Sequence, residues 1–288
     1  MAIVDELLAA GFDRVIVLDG DECGYPDAAT VLLALWPYQA EREPYAKDAW
    51  IHPYYYSSQK AYRAADDLAK AHAAEGVRWR DDILVKPIFA RLPGFTQGRN
   101  TLSYTAEYGS RFHVQMLTTE EKLQPTHHLE DAPQGLHCGD CHLCEGACPT
   151  KALEGGVFHR DRCLRNWQVS GQIYPEEVRM NMGNRLIGCD SCQRCCPHNR
   201  LPEGETRPIP VPLEEILYHP KQAAIELRKY IGATITMFNR LLGGACIVAG
   251  CTGRIDLLAR LEELTESPSV AVANHAKWAV EQLMSKHM

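Results

Sequence analysis

Four cysteines between residues 138 and 148 are spaced in a way that suits metal-cluster binding. They form the motif Cys138-x2-Cys141-x2-Cys144-x3-Cys148, and Pro149 follows directly. In this spacing, three thiolates of a tight loop bind one 4Fe–4S cluster, while the fourth, next to the proline, binds a second cluster. A zinc site needs four thiolates around one tetrahedral ion, and the closely spaced third cysteine of this loop, Cys144, has no role in such a site. The motif therefore predicts iron–sulfur chemistry and electron transfer.

A second motif, Cys189-x2-Cys192-x2-Cys195-Cys196, also ends at a proline, Pro197. Cys196 precedes its proline as Cys148 does in the first motif, so the two motifs are related by an internal pseudo-symmetry. This symmetry exchanges the last cysteine of each motif between two clusters. The first cluster is therefore predicted to be bound by Cys138, Cys141, Cys144 and Cys196, and the second by Cys148, Cys189, Cys192 and one further residue.

The residues alone leave two candidates for that fourth ligand of the second cluster. A plain ferredoxin pattern would use Cys195, which lies within the second motif. Cys163 is the other candidate, because it is an isolated cysteine between the two motifs. The spacing does not choose between them.

The bulk composition agrees with a reduced metalloprotein. The chain has 288 residues, twelve of them cysteines, and its formal net charge is -7. No basic stretch precedes an apolar one at the N-terminus, so we expect no export and clustered thiols that bind metal in the cytoplasm. The longest apolar runs are too short to span a membrane. The negative charge argues against broad non-specific binding to nucleic acid.

The segments around the cysteines predict an α+β protein of three parts. Residues 1–131 mix helical and strand patterns and are predicted to form a mixed α/β domain of the cofactor-binding kind. Residues 132–205 contain the cysteines and are predicted to form a two-cluster, bacterial ferredoxin-like module. Residues 206–288 are predicted to be a helical segment, because leucines recur at helical spacing and Ser267-Pro268 marks the start of a further helix.

Local patterns in the first part predict its elements. Gly11 should end the first helix, and Gly76 is a natural C-terminal cap for the second. The predicted elements are a helix over 5–10, a strand over 14–18, a buried run over 31–36, a helix over 57–74, and apolar runs over 83–89 and 112–117.

Residues 92–200 resemble epoxyqueuosine reductase and, more distantly, the corrinoid-dependent reductive dehalogenases. The matching motifs are Gly98-Arg99-Asn100-Thr101-Leu102, Tyr108-Gly109-Ser110, Cys148-Pro149-Thr150-Lys151-Ala152, Asp161-Arg162-Cys163, Pro175-Glu176-Glu177, Met182-Gly183-Asn184-Arg185 and Gly188-Cys189-Asp190-Ser191-Cys192-Gln193. The resemblance implies that Cys163 completes the second cluster and that Cys195 is a spare thiol. Residues 270–283 also resemble the HEAT-like tail of that family.

The resemblance further implies a base-off cobalamin, which would make residues 1–131 a corrinoid-binding-like domain. The residues of this domain that best match the family are Arg99, Asn100, Tyr108, Gly109 and Ser110, and we expect them to contact the cofactor. Glycines at such places commonly let the backbone approach a ligand closely. The Arg99 guanidinium has donors suited to the amide-bearing edge of a corrin.

The chain departs from the family pattern where the family has its proposed proton donor. Registering residues 83–87 on Pro87 places Leu84 where the family has an aspartate in a strand. Lys86 lies in this apolar run, and a buried lysine is costly unless it is paired or near an anion. The sequence therefore names no catalytic residue, and a role for Lys86 is an expectation.

Three functions are compatible with these patterns. In the first, electrons from a low-potential donor such as ferredoxin or flavodoxin pass through both clusters to a corrinoid, which reduces an unidentified small-molecule or modified-nucleoside substrate. The second is a corrinoid-free, ferredoxin-like electron carrier. The third is a reductase that binds tRNA, for which the charge gives no support, because residues 206–288 have nine Lys or Arg against eight Asp or Glu.

Overall fold

The computed structural model of the chain describes residues 2–40, 49–131, 138–199 and 212–287. Its helices are α1 (Ala2–Ala9), α2 (Pro53–Ala71), α3 (Val85–Arg91), α4 (Leu143–Ala147), α5 (Leu164–Gln168), α6 (Glu176–Met180), α7 (Ser191–Arg194), α8 (Leu213–Tyr218), α9 (Pro220–Ile231), α10 (Phe238–Thr252), α11 (Leu258–Leu264) and α12 (Val270–His287). Its strands are β1 (Arg14–Asp19), β2 (Thr30–Pro37), β3 (Trp50–Ile51), β4 (Arg78–Arg80), β5 (Phe95–Gln97), β6 (Ser103–Thr105), β7 (Phe112–Thr119), β8 (Leu153–Glu154), β9 (Val157–Phe158) and β10 (Arg185–Ile187). No helix within the described ranges is both long and apolar enough to cross a membrane.

The backbone contacts divide the chain into two units. Unit 1 comprises Met1–Ala40, Ser57–Cys144 and Gln193–Pro202, and unit 2 comprises Glu41–Tyr56, Glu145–Cys192 and Glu203–Met288. The predicted mixture of helices and strands is confirmed. The predicted division into 1–131, 132–205 and 206–288 stays a prediction, since its second border lies outside the described residues and its first lies at their edge.

Unit 1 is built on a four-stranded antiparallel sheet in the order β1-β2-β7-β4. Val17 of β1, Leu32 of β2 and Leu117 of β7 lie in one row across this sheet, on the face that packs in one core with residues of α1 and α2. The neighbouring row contains Ile16 and Leu33, which pack in a second core with residues of α3 and β5. Because alternate side chains of β2 meet different cores, residues 31–35 are continuously buried rather than alternating.

Residues 83–91 contain the predicted apolar run over 83–89, which aligned with a strand of the family but forms no strand here. They form a short irregular stretch and then α3, with Pro87 in the first helical turn, where its missing N–H costs no hydrogen bond. Leu84 is 71% exposed, and Lys86 is also exposed. The expectation of a buried Lys86 was therefore wrong, and Leu84, which aligned with a strand residue of the family, lies directly before α3.

Unit 2 has a helical core centred on α10, of which residues 241–250 are all buried. A Cβ atom at Gly250 would lie 2.9 Å from Cα of Ala279, so α10 and α12 touch through their backbones. Gly244 lies against Leu186 of β10, the strand that leads into Cys189. The predicted helical character of the C-terminal segment is confirmed for residues 212–287, and the HEAT-like interpretation stays a prediction.

Candidate metal centre

Four of the predicted ligands line one pocket of unit 1, with a volume of about 120 Å³. They are Cys138, Cys141, Cys144 and Cys196, which we call the first cysteine set. The other lining residues are Gly98, Arg99, Asn100, Tyr104, Ser110, Leu143, Pro197 and His198. The thiols that the sequence separates by up to 58 positions are thus brought to one place in the fold.

The first motif is a tight loop that runs into α4. The N–H of Cys141 donates to the carbonyl of Cys138 at 3.0 Å, which closes the first turn, and Gly139 within that turn has φ of 51°. Cys144 lies inside α4 and is buried. The short spacing between these cysteines therefore folds locally into the loop that the motif predicts.

Arg99 holds this loop from outside the motif. Its backbone N–H donates to Sγ of Cys138 at 3.3 Å, and its guanidinium donates to the carbonyls of Cys141 and Gly139, each at 3.0 Å. The sequence predicted Arg99 as a contact to a corrin edge, but these bonds direct the side chain to the cysteine loop. Arg99 is therefore a neighbour of the first cysteine set, a place that motif reasoning did not assign to it.

The end of the second motif is held by a side-chain network. Asn199 Oδ1 accepts from the N–H of Ser110 at 2.7 Å, and Asn199 Nδ2 donates to the carbonyl of Gln193 at 2.8 Å. Gln193 Nε2 in turn donates to the carbonyl of Ser110 at 3.0 Å. Gly109 lies beside His198 and Asn199 so closely that a Cβ atom would clash. This network positions Cys196, the member of the first cysteine set that comes from the second motif.

The second cysteine set, Cys148, Cys163, Cys189 and Cys192, belongs wholly to unit 2. Cys148 accepts a hydrogen bond at its sulfur from the N–H of Ala152 at 3.2 Å. Cys163 immediately precedes α5, and its carbonyl accepts from the N–H of Asn166 at 3.0 Å. Sγ of Cys189 lies 3.5 Å from the hydroxyl of Ser191. Short-range contacts within unit 2 therefore position the sulfurs of Cys148 and Cys189 and the backbone of Cys163.

Gln168 connects the Cys163 segment to the Cys189 loop. Its Oε1 accepts from the N–H of Gly188 at 2.7 Å, and its Nε2 donates to the carbonyl of Arg185 at 2.9 Å. Gln168 is the last residue of α5. It therefore supports the loop that contains Cys189.

A cationic side chain lies close to Cys163. Arg165 hydrogen-bonds to Tyr55 and interacts electrostatically with Cys163. Burial raises the pKa of Tyr55, and the charge of Arg165 partly offsets that rise. A guanidinium here places positive charge beside a predicted thiolate ligand.

Cys195 belongs to unit 1, whereas the second cysteine set belongs to unit 2. Burial raises the pKa of its thiol, and nearby Cys196 and Cys141 add to that rise. Cys195 therefore neighbours members of the first cysteine set. The assignment of Cys163 rather than Cys195 to the second cluster stays a prediction.

Burial also raises the pKa of two predicted ligands, Cys189 and Cys196. These thiols hold their protons more firmly than a free cysteine does. Cluster binding deprotonates thiol ligands, so assembly at these sites would release protons.

The first cysteine set has the donors that a 4Fe–4S cluster requires. Within the described ranges, no three Cys, His, Asp or Glu side chains are grouped so that they could hold one metal ion. The first cysteine set instead surrounds a pocket. A 4Fe–4S cluster brings its own iron and sulfide and is bound by thiolates arranged around it. The pocket is thus the observation that fits the cluster.

The remaining predicted corrinoid contacts bond to the protein. Tyr108 donates from its hydroxyl to the carboxylate of Asp13, and the Asn100 side chain accepts from the N–H of Leu102 at 3.2 Å. Two pockets in the described part of unit 1 have volumes of about 120 and 290 Å³, below the ~300–1,000 Å³ that is usual for small-molecule sites. The assignment of these five residues to a corrinoid site stays a prediction.

Known proteins agree with the cluster chemistry. The family described as the 4Fe-4S double cluster binding domain matches residues 137–199. Epoxyqueuosine reductase of Lactococcus garvieae is 30% identical over 203 residues, which are 66% of this chain and 56% of that protein. The enzyme of the same name from Bacillus subtilis is 36% identical over 124 residues, 43% of this chain and 31% of that protein. The chain resembles epoxyqueuosine reductases. The resemblance predicted from the sequence is thereby confirmed.

Solved structures extend the resemblance to the fold. Epoxyqueuosine reductase from Streptococcus thermophilus superposes with a TM-score of 0.76 at 22% identity, covering 99% of this chain and 90% of that chain. An epoxyqueuosine reductase with an epoxyqueuosine-modified tRNA-Tyr stem loop gives a TM-score of 0.73 at 19% identity, covering 98% and 89%. At these identities the likeness shows the fold alone. The sequence matches to the reductases of Lactococcus garvieae and Bacillus subtilis span about half, or less, of the length of those proteins.

Proposed function

We propose that the protein is an iron–sulfur reductase that carries electrons through two 4Fe–4S clusters. The observation that carries this proposal is the pocket of unit 1, which gathers four thiols from two distant motifs. The other four thiols belong together to unit 2, which suits a second cluster. The 4Fe-4S double cluster binding domain match at residues 137–199 supports the same interpretation.

The chain's own residues would set how readily each cluster accepts an electron. The N–H groups of Arg99 and Ala152 donate to the sulfurs of Cys138 and Cys148, respectively. When clusters are bound, they supply one-electron redox chemistry. Hydrogen bonds to ligand sulfur stabilise the more negative, reduced state and so raise the midpoint potential. Arg165 would act in the same direction at Cys163 through its charge.

Iron analysis tests this proposal directly. Anaerobically reconstituted protein is expected to hold about eight irons and eight sulfides per chain, because each of two cubanes contributes about four of each. The measurement is colorimetric iron and sulfide against protein concentration, together with the visible spectrum. A colourless protein that takes up zinc under the same conditions would refute the proposal.

The electron donor and acceptor form the finer part of the proposal. A low-potential donor such as ferredoxin or flavodoxin would supply electrons, and a corrinoid would receive them before reduction of a small-molecule or modified-nucleoside substrate. The resemblance to epoxyqueuosine reductases supports this electron route. The solved reductase with a bound tRNA stem loop makes tRNA a candidate partner. The cytoplasm is the proposed location.

Cobalamin titration decides between this enzyme and its alternative, a corrinoid-free electron carrier. The alternative is favoured by the protein contacts that Arg99, Asn100 and Tyr108 make. If the corrinoid is retained, added cobalamin should bind the cluster-loaded protein in its base-off form, seen as a change in the cobalt absorption bands and as heat in calorimetry. A flat titration of cluster-replete protein would reject the corrinoid.

A pair of arginine variants tests whether Arg99 contacts the cobalamin. Arg99→Ala should weaken cobalamin binding, whereas Arg91→Ala, which removes an arginine that bonds to the Glu130 carbonyl, should not. Because Arg99 also holds the first cysteine loop, iron is measured in the same samples. Weaker cobalamin binding by Arg99→Ala at full iron content would assign the contact to Arg99. Equal cobalamin binding by the two variants would show that Arg99 does not contact the cofactor.

A further inference from the structure

The hydroxyl of Tyr104 is a buried donor whose role the cluster assignment alone does not explain. The residue is 8% exposed, and its oxygen has no hydrogen-bond partner among the described residues. Buried polar groups are nearly always paired, and an unpaired one calls for a ligand, ion or water at that point. Tyr104 lines the pocket of the first cysteine set, so such a partner would occupy that pocket.

The surroundings of Tyr104 hold its ring in place. The ring stacks on the imidazole of His198, with centroids 4.5 Å apart and an angle of 26° between the planes. His198 follows Cys196 by two positions. Tyr104 is thereby fixed in the pocket that two predicted ligands, Cys138 and Cys196, also line.

We propose that the hydroxyl of Tyr104 donates a hydrogen bond to a sulfur of the first cluster and so raises the midpoint potential of that cluster. This inference rests on the proposed binding of a cluster by the first cysteine set. Reduction adds negative charge to the cluster and its thiolates, so a donor stabilises the reduced state more than the oxidised one. Tyr104 is a positioning residue in this role, because it binds no iron.

The test compares wild-type protein with Tyr104→Phe, which keeps the ring and removes the donor. We expect full iron content. The midpoint potential of one cluster should fall by about 28 to 59 mV, which corresponds to a three- to tenfold change in the equilibrium constant of one-electron reduction. The matched control is Tyr25→Phe, since Tyr25 lines a different pocket of unit 1 and its hydroxyl accepts from the N–H of Leu84. That control should leave both potentials unchanged.

A spectroscopic measurement provides a second readout of the same hydrogen bond. Electron–nuclear double resonance of the reduced clusters should show an exchangeable proton coupling that disappears in D2O and is missing in Tyr104→Phe. Unchanged midpoint potentials in an iron-replete variant, or a wild type without such a coupling, would overturn the role of Tyr104 while leaving the clusters in place. Wild-type protein that fails to bind iron would instead overturn the proposed function, and this inference with it.

Discussion

Cys163→Ser is expected to lose about half of the bound iron, roughly four of eight atoms, because one of two cubanes loses a ligand. Serine offers a harder oxygen donor where iron–sulfur sites select soft thiolate. Cys163 belongs to unit 2 with Cys148, Cys189 and Cys192, which is the set that lacks a fourth member without it. Iron, sulfide and the visible spectrum of reconstituted protein measure the loss.

Cys195→Ser is the matched control for this experiment. Cys195 belongs to unit 1 and neighbours members of the first cysteine set, which has four members without it. We therefore expect its replacement by serine to leave the iron content nearly intact. Loss of a cluster in Cys195→Ser, with Cys163→Ser fully loaded, would show that the plain ferredoxin pattern applies and that our ligand assignment is wrong.

Gly109→Ala is expected to destabilise unit 1 strongly and to reduce iron at the first cluster. Gly109 has φ of 58°, and a Cβ atom would lie 2.1 Å from Oδ1 of Asn199 and 2.5 Å from the carbonyl oxygen of His198. The second contact is with backbone, so relief requires the segment after Cys196 to move. Strain and overpacking together should cost roughly 2–5 kcal/mol in the free energy of unfolding.

Gly94→Ala separates the strain from the clash. Gly94 also has a positive φ, 84°, but nothing lies within 4 Å of its Cβ position. It should cost only about 1–2 kcal/mol and leave the iron content unchanged. Urea unfolding midpoints and iron analysis of both variants provide the comparison. Equal losses in the two proteins would mean that the contact of Gly109 with residues 198–199 has no special importance for the cluster.

Several elements followed from local sequence pattern. The helix end at Gly11, the strand at residues 14–18, the buried run at 31–36 and the C-terminal helices were all predicted, since their periodicity and turn residues act over a few positions. Residues 83–87 show where this reasoning fails. A short apolar run fits a strand or a helix equally well, and here Pro87 in the first turn of α3 and the packing of Ile88 and Phe89 decide for the helix.

The identity of the candidate ligands was readable from the sequence, because three cysteines at close spacing fold into one loop whatever surrounds them. Their environment was not readable. Arg99, Tyr104 and Asn199 reach the first cysteine set from positions tens of residues away or through a network of side chains, and Gln168 reaches the Cys189 loop in the same way. Such contacts depend on how the sheet and loops pack, and no local periodicity encodes them. The sequence alone therefore indicated which cysteines are candidate ligands, and only the tertiary structure decided which donors and charges surround them, since those are set by long-range packing.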